Sequence, residues 1–398
     1  MKSLTIQTYK DRYPTSFVLP RISRHQIDLK RFFPGRFIHN SYDGVTIMQR
    51  LQAPDLTHAW NRVPVNPGRF IISFESHLPR VFDRRAPFTN QVENWMRKRI
   101  CSNDCRRITA LSHYAKRQFL EQNADHPDLE AMTEKLIVRY PNVILGETNQ
   151  SRIERVPERL EVVFVGGHFA RKGGLAVLRL AEMCDAANLP VKFTLVSSLA
   201  MGEAIWTDPP SADFYRSYER LYNLPNVEIL STLSNQDVRA LFAKSDLSIL
   251  PTIADSFGYS VVESMAEYCV PIASETGVFP EFIQQGENGF LLPAETSSDG
   301  SWIGNERHDQ RHSKAYEELF GGQMDAYASA AYETIQSILA NPSQLIQMRH
   351  NARATVERLF SPEASSAFWD DAYERWVEEP IASVPKNGPL DVDVPSLV

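Results

Sequence analysis

The feature that most restricts the fold is an alternation of strand and helix patterns between Leu160 and Pro293. Continuous apolar runs such as LEVVFVGG, VKFTLVSS and DLSILPT are typical of strands buried on both faces of a parallel sheet. Segments with helical spacing separate these runs, for example SNQDVRALFAKS, in which Ser234 is a predicted N-cap. This order predicts an α/β protein with a doubly wound parallel sheet.

The first part of the chain shows the same alternation less clearly. The segment RFIISFES, residues 69–76, predicts a buried strand, and residues 106–122 predict a strand, a serine and a helix. Residues 134–145 predict another strand that ends at a proline, whereas the first fifty residues show no clear period. The first part therefore also predicts an α/β arrangement.

The length of 398 residues suits two domains of ordinary size. We predict an N-terminal Rossmann-like domain over residues 1–150 and a second one over residues 151–361, with the polar segment 146–158 as the linker. The segment that begins Ser-Pro-Glu predicts a final amphipathic helix over 362–380, and a disordered tail over 381–398 follows it. Residues 296–327 are polar and predict a surface insertion.

Composition excludes several classes of protein. No apolar stretch reaches the roughly 20 residues that a membrane span needs, and the N-terminal residues are too polar for a signal-peptide core. We therefore expect a cytoplasmic protein, with peripheral contact at the inner membrane face as an extension of that expectation. The four cysteines do not predict a disulfide framework. Cys101 and Cys105 lack a second Cys/His pair at metal spacing, so we expect no metal site.

Charge is distributed unevenly along the chain. The whole chain carries a net charge of −7, yet residues 1–107 hold nineteen Lys/Arg against eight Asp/Glu. A basic first quarter on an acidic protein indicates an anionic partner, such as an anionic membrane surface, a phosphorylated acceptor or a nucleic acid. A solvated basic face is the alternative, and no nucleic-acid-binding motif is present.

The segment FVGGHFARKGG closes the first strand of the predicted second domain. Gly166 and Gly167 allow a tight turn and a close backbone approach. Arg171 and Lys172 then lie at the start of the following helix, where exposed amides and two cations would bind an anion. The segment matches neither of the two standard nucleotide-binding glycine motifs, and a solvated Arg-Lys pair is the alternative interpretation.

Two carboxylates flank a Phe-Gly turn in the segment ADSFGYSVVESMAEYCVPIAS. Asp255 opens this segment and Glu263 follows eight positions later, with Phe257 and Gly258 between them. The turn amides at a helix N-terminus suit phosphate, and the two acids suit sugar hydroxyls. The spacing therefore has the shape of a sugar-nucleotide site. The alternative is an Asp that favours the helix dipole and an exposed Glu.

These segments together resemble a known family, the retaining nucleotide-sugar glycosyltransferases of GT-B architecture. PTIADSFGYSVVESMAEYCVPIAS resembles its E-x7-E signature, FVGGHFARKGG its glycine turn, and two further segments between 162 and 293 match in order. The resemblance implies two Rossmann-like domains that face each other across a cleft, with the C-terminal helix crossing back to the first domain. It also implies transfer of a hexose-type sugar from a nucleoside diphosphate sugar, without a metal or other cofactor.

The resemblance assigns roles to individual positions. Lys172 matches the lysine that binds the diphosphate, and Arg171 stands in for an arginine of the family that would fall at Gly167. Glu263 matches the acid that holds the donor ribose, whereas Asp255 replaces a glutamate of the family. The other predicted donor-binding residues are Gly166, Gly167, Ser197, Phe257, Gly258, Tyr259 and Ser260. Tyr268 stands close to where the family has a turn glycine.

Acceptor recognition is assigned to the first domain by the same resemblance. His77, at the end of a predicted strand, matches the position of an active-site histidine. The implied acceptor is a glycan or a lipid-linked glycan, in the biosynthesis of cell-surface polysaccharide or glycoconjugates. A non-catalytic nucleotide-sugar-binding or scaffold protein is the alternative, because Asp255 is shorter than glutamate and Gly167 cannot replace arginine.

Overall fold

The computed structural model describes residues 3–10, 17–49, 53–81 and 86–379. The chain divides into two compact units, one formed by Met1–Asn142 with Leu359–Val398 and the other by Val143–Arg358. The tail predicted over 381–398 lies outside the described residues. In the described parts of the chain, no helix is long and apolar enough to cross a membrane.

In its described residues, the first unit contains two sheets, with helices between their strands. Its strands are β1 Thr5–Tyr9, β2 Gln26–Lys30, β3 Phe32–Pro34, β4 Val45–Met48, β5 Leu56–Trp60, β6 Val63–Pro64, β7 Phe70–Phe74, β8 Cys105–Ala110 and β9 Leu136–Val138. Its helices are α1 Thr89–Cys101, α2 His113–Gln122 and α3 Leu129–Thr133. The main sheet has the order β2-β1-β5-β7-β8-β9 and is parallel throughout. The small sheet has the order β3-β4-β6.

The strands of the first fifty residues escaped the sequence analysis for a physical reason. In β1 the buried positions include the polar residues Gln7 and Thr8, so the strand shows no apolar run. The Gln7 side-chain nitrogen donates to the Gln49 carbonyl at 3.0 Å. By contrast, β5 and β7 are buried at every position, and β7 was predicted from its apolar run.

The second unit contains the predicted alternation of strands and helices. Its strands are β10 Leu160–Val165, β11 Val191–Val196, β12 Val227–Leu230, β13 Leu247–Leu250, β14 Val270–Ser274 and β15 Phe290–Leu292. Its helices are α4 Gln150–Ile153, α5 Gly174–Ala186, α6 Ala212–Arg216, α7 Asn235–Phe242, α8 Tyr259–Ala266, α9 Lys314–Ala340 and α10 Gln344–Leu359. The predicted N-cap Ser234 accepts a hydrogen bond from the Asp237 amide at 3.2 Å.

The strand order of the second unit defines where a ligand can bind. The sheet runs β12-β11-β10-β13-β14-β15 and all its pairs are parallel. After β10 the chain adds β11 and β12 on one side of the sheet, and after β13 it adds β14 and β15 on the other side. In open parallel sheets of this kind, ligands bind beyond the carboxyl ends of the two strands where the order reverses. The fold class predicted from the sequence, α/β with Rossmann-like parallel sheets, is confirmed.

The polar segment 296–327 is anchored more firmly than a surface insertion would be, and that prediction is wrong for its centre. Trp302 is buried, and the Asn305 amide donates to the Ile253 carbonyl at 3.0 Å. Arg311 donates to the carbonyls of Ile205 and Asp208 at 3.1 and 3.0 Å. These partners are distant in sequence, which is why the polar composition gave no indication of them.

The last helix of the described residues, α11 Pro362–Glu378, belongs to the first unit. Ser361 caps it by accepting a hydrogen bond from the Ala364 amide at 3.1 Å. Its buried face includes three large aromatic residues: Trp369, Tyr373 and Trp376. At its C-terminal end, Glu379 accepts two hydrogen bonds from the Arg107 guanidinium of β8, at 2.6 and 3.1 Å.

Candidate functional site

The loops after β10 and β13 meet at the point where the strand order reverses. The Ile253 amide donates to the Arg171 carbonyl at 3.1 Å, and the Thr252 hydroxyl donates to the same oxygen at 3.0 Å. Gly173 has a φ of 84°, and a Cβ at this position would lie 2.0 Å from the Pro251 carbonyl oxygen. Only glycine therefore allows the two loops to approach this closely.

An ion pair between Lys172 and Asp255 joins these loops. The Lys172 Nζ contacts the Asp255 Oδ2, and the side chains are 17% and 10% exposed. The other carboxylate oxygen, Oδ1, accepts from the Phe257 amide at 3.3 Å and from the Gly258 amide at 3.1 Å. Burial would raise the pKa of Asp255. The charges of Lys172 and Arg171 and these hydrogen bonds outweigh burial and lower the pKa below its usual value.

The structure shows that the turn amides bind a carboxylate of the chain. The sequence analysis assigned the Phe257 and Gly258 amides to a phosphate. In the structure they hold the Asp255 carboxylate, an anion supplied by the chain itself. Gly258 is the N-cap of α8, so the carboxylate lies at the positive end of that helix. The arrangement binds an oxyanion, and Lys172 supplies the opposing charge.

Arg171 lies beside this pair and is held by two groups. Its Nη1 donates to the Ala254 carbonyl at 2.5 Å, and its Nη2 lies 3.0 Å from the His168 Nδ1. Burial, followed by the charges of Arg171 and Lys172, lowers the pKa of His168. Sequence reasoning did not select His168, although it lies within the quoted glycine turn. Its position between the glycines and the two cations was the feature of the sequence that could have indicated a role for His168.

The glycines of the first loop differ in their surroundings. A Cβ at Gly166 would lie 2.8 Å from the Phe164 ring and 2.9 Å from the Lys172 Cβ, so this position requires a very small residue. A Cβ at Gly167 would have no atom within 4 Å. Ser197 is buried, and its hydroxyl accepts from the Leu199 amide at 3.0 Å.

Helix α8 presents the second predicted acid. Glu263 is partly exposed, as are Tyr259 and Ser260, whereas the neighbouring positions Val262 and Met265 are buried. Asp255 and Glu263 therefore do different things in the structure. Asp255 closes the loop onto the helix N-terminus, and Glu263 lies farther along the helix.

Tyr268 forms the turn after α8, close to where the resemblance implies a glycine. Its φ is 60°, a left-handed conformation that is uncommon for a bulky residue. Two contacts stabilise it: the Tyr268 hydroxyl lies 3.0 Å from the Thr148 hydroxyl, and the Arg353 guanidinium lies 5.0 Å from the ring centroid. Tertiary contacts thus replace the conformational freedom of glycine at this position.

His77 belongs to the other unit. It follows β7 and has an exposed side chain. The predicted residues that lie together are those of the second unit: Lys172, Arg171, Asp255, Phe257 and Gly258. Among the residues that the structure describes, no group of three or more His, Cys, Asp or Glu side chains could hold a metal ion.

Comparison with known proteins shows what the segment that contains the candidate site is similar to. Residues 146–301 match the family model described as glycosyl transferases group 1. The Bacillus subtilis protein described as uncharacterized glycosyltransferase YqgM is 23% identical over 246 residues, which cover 61% of this chain and 62% of that protein. The Chlamydia trachomatis serovar L2 glycogen synthase is 33% identical over 78 residues, or 20% of this chain and 16% of the synthase. The chain thus spans less than two thirds of the length of each relative.

Solved structures show the same fold. Anabaena Alr3699/HepE in complex with UDP superposes with a TM-score of 0.58 at 14% identity, covering 94% of this chain and 100% of that one. The same protein in complex with UDP-glucose gives a TM-score of 0.55. The family match thus covers residues 146–301, and the chain shares the α/β fold of these solved structures, with Rossmann-like parallel sheets.

Proposed function

We propose that the protein is a retaining glycosyltransferase that moves a hexose-type sugar from a nucleoside diphosphate sugar to an acceptor. One observation carries this proposal. At the point where the strand order reverses, Lys172 and the N-terminus of α8 hold an oxyanion within a family-matched segment. A diphosphate has the charge and the oxygen geometry that such donors bind.

Breaking the bond between the sugar and the diphosphate leaves negative charge on the terminal phosphate of the nucleotide. We propose that Lys172 and Arg171 stabilise that charge electrostatically. His168 positions the Arg171 guanidinium at 3.0 Å. We propose that Glu263 accepts hydrogen bonds from the ribose hydroxyls, and that no metal or other cofactor takes part.

Donor binding requires a change at Asp255. Its carboxylate now takes both the Lys172 ammonium and the turn amides that a phosphate would use. We propose that the diphosphate displaces the carboxylate from Lys172, and that Asp255 then faces the donor sugar. Gly166, Gly167, Ser197, Tyr259 and Ser260 complete the proposed donor site, and His77 is the proposed histidine on the acceptor side.

The acceptor is proposed to be a glycan or a lipid-linked glycan in polysaccharide or glycoconjugate biosynthesis, and the location to be cytoplasmic. The names of the relatives, a glycogen synthase among them, support a carbohydrate acceptor. The UDP and UDP-glucose bound to Anabaena Alr3699/HepE make a uridine donor the first to test.

A second candidate is a non-catalytic nucleotide-sugar-binding protein. The occupation of Lys172 by Asp255 and the glycine at position 167 favour it. Such a protein would bind a nucleotide sugar and would transfer the sugar to none of a wide panel of acceptors.

The test is a thermal-shift panel of UDP, GDP, ADP and their sugars on the wild type, Glu263→Ala and Glu287→Ala. A ligand at 100 times its dissociation constant stabilises the folded state by about 2.7 kcal/mol. We expect one nucleotide to raise the Tm of the wild type. The control variant Glu287→Ala, which changes an exposed glutamate outside the site, should show the same rise. The shift should be lost in Glu263→Ala. No shift with any nucleotide would overturn both candidate functions.

A further inference from the structure

The small sheet of the first unit exposes a row of apolar side chains. None of these residues belongs to the proposed donor site. In β3 and β4, Phe33 pairs with Ile47, and directly paired residues share a face of the sheet. Strand β6 pairs in parallel with β4, and the Val65 amide that follows it donates to the Thr46 carbonyl at 2.9 Å. This register places Val65 beside Ile47. The three side chains are 45%, 44% and 44% exposed.

The next turn of the chain extends the row. Phe37 and Ile38 are 67% and 64% exposed, and the Phe37 ring lies 5.6 Å from the Phe33 ring. We call these five residues, Phe33, Phe37, Ile38, Ile47 and Val65, the apolar sheet face. The opposite side of the same sheet is packed, because Phe32 stacks on Tyr9 with ring centroids 4.9 Å apart. Contiguous exposed apolar patches, especially those rimmed by polar residues, mark sites of interaction with proteins or membranes.

Two exposed arginines adjoin the residues of the apolar sheet face in the sequence. Arg31 and Arg36 are exposed, and the Arg36 guanidinium lies 5.7 Å from the Phe37 ring centroid. The single carboxylate in residues 29–49 is Asp43, which is buried. Its side chain already accepts hydrogen bonds from Arg62 and Arg80 at 3.4 and 3.0 Å. The face is therefore apolar and basic, with no exposed carboxylate in that segment.

We propose that the apolar sheet face docks on the surface of an anionic phospholipid bilayer. Aromatic and aliphatic side chains beside arginines bind such surfaces by burying the apolar groups among the headgroups and by pairing the cations with lipid phosphates. A symmetric contact with a second copy is disfavoured, since it would bring the same basic patch of both chains together without opposite charge. A bilayer supplies the opposite charge instead.

The test is sedimentation of the full chain with vesicles of equal parts phosphatidylglycerol and phosphatidylcholine. Phe37→Ser/Ile38→Ser is expected to weaken binding about tenfold or more, because it removes two exposed apolar groups. Arg31→Gln/Arg36→Gln should weaken it about fivefold for each arginine, which corresponds to about 1 kcal/mol each. The matched control is Ile144→Ser/Val156→Ser, which removes two exposed aliphatic groups of the second unit and should leave binding unchanged.

The outcomes separate the proposal from its alternatives. The proposal is supported if the wild type binds the anionic vesicles and both variants bind them more weakly. Binding should also be weaker with pure phosphatidylcholine or in high salt. Absence of vesicle binding by the wild type overturns the proposal. A concentration-dependent dimer that Phe37→Ser/Ile38→Ser abolishes would assign the face to a second copy instead. The thermal unfolding of each variant shows that it is folded, and the nucleotide panel tests the donor site separately.

Discussion

Asp255 explains how a small change in side-chain length alters a binding site. The Oδ1 of an aspartate can accept hydrogen bonds from the amides two and three positions later, and here it accepts from Phe257 and Gly258. The resemblance noted above places glutamate at this position, and glutamate is one methylene longer. The shorter acid therefore binds its own turn, which keeps Oδ2 against Lys172.

Asp255→Asn tests whether the carboxylate competes with the donor. Asparagine keeps an acceptor for the two amides but loses the charge that pairs with Lys172. We expect UDP to bind roughly fivefold more tightly, equal to about 1 kcal/mol, because the diphosphate no longer displaces a carboxylate. Sugar transfer should become slower. Titration calorimetry with UDP measures the first effect, and Asp213→Asn, at an exposed position on α6, is the control.

Weaker UDP binding in Asp255→Asn would contradict this account and would assign Asp255 to ligand binding itself.

The pKa of Asp255 is lowered, so its charge contributes to stability above the pKa of the unfolded chain, about 3.9. That contribution is lost only as the pH falls through the lower pKa of the folded state. UDP affinity should therefore show no dependence on Asp255 titration above about pH 5.

The contact between β5 and α11 is built around a buried histidine. The His58 Nδ1 lies 2.8 Å from the Tyr373 hydroxyl, and its Nε2 lies 2.8 Å from the Ser73 hydroxyl. The Trp369 ring lies 4.6 Å from the imidazole. Burial lowers the pKa of His58 to about 3, so the folded state holds a neutral imidazole.

This histidine makes the first unit sensitive to acid. The unfolded chain protonates His58 near pH 6.5 and the folded state does so near pH 3, so stability is complete above pH 6.5 and is lost as the pH falls below it. Between pH 7.5 and 5.5 the wild type should lose about 1.4 kcal/mol more than His58→Gln. Urea unfolding followed by tryptophan fluorescence at both pH values gives this difference. Equal losses in the two proteins would show that His58 is not the cause.

The whole chain is organised so that the first unit depends on its last helix. Unit 1 joins Met1–Asn142 to Leu359–Val398, and the second unit lies between these stretches in sequence. Removal of α11 would expose the surface that Trp369, Tyr373 and Trp376 cover. Each buried aromatic side chain contributes about 2 to 3 kcal/mol, so the first unit is not expected to fold without this helix.

A chain that ends at Arg358 tests this dependence. We expect the nucleotide that shifts the Tm of the full chain to shift that of the shortened chain, because the proposed donor site lies in the second unit. Limited proteolysis should cut the first unit of the shortened chain rapidly and leave residues 143–358 intact. A protease-resistant first unit would contradict the role of α11, and a lost nucleotide shift would show that the donor site needs more than the second unit.

Much of the second unit followed from local pattern. Five of its six parallel strands were predicted from apolar runs, and Ser234 marks the start of α7. Strand β12 was not predicted, because its residues are partly exposed and include Glu228. The insertion at 296–327 was misjudged, because Trp302 and Arg311 find their partners far away in the chain. The strands before residue 50 were missed, because polar residues such as Gln7 occupy buried positions.

Sequence alone predicted the α/β alternation of the second unit and the family resemblance, since periodicity, caps and motif spacing are local properties. The roles of the candidate site residues stay predictions. Folding established which groups those residues bind. Lys172 meets Asp255 across 83 positions, and His58 meets Tyr373 across 315. Contacts over such separations depend on strand order and on the return of the last helix, neither of which leaves a periodic mark in the chain.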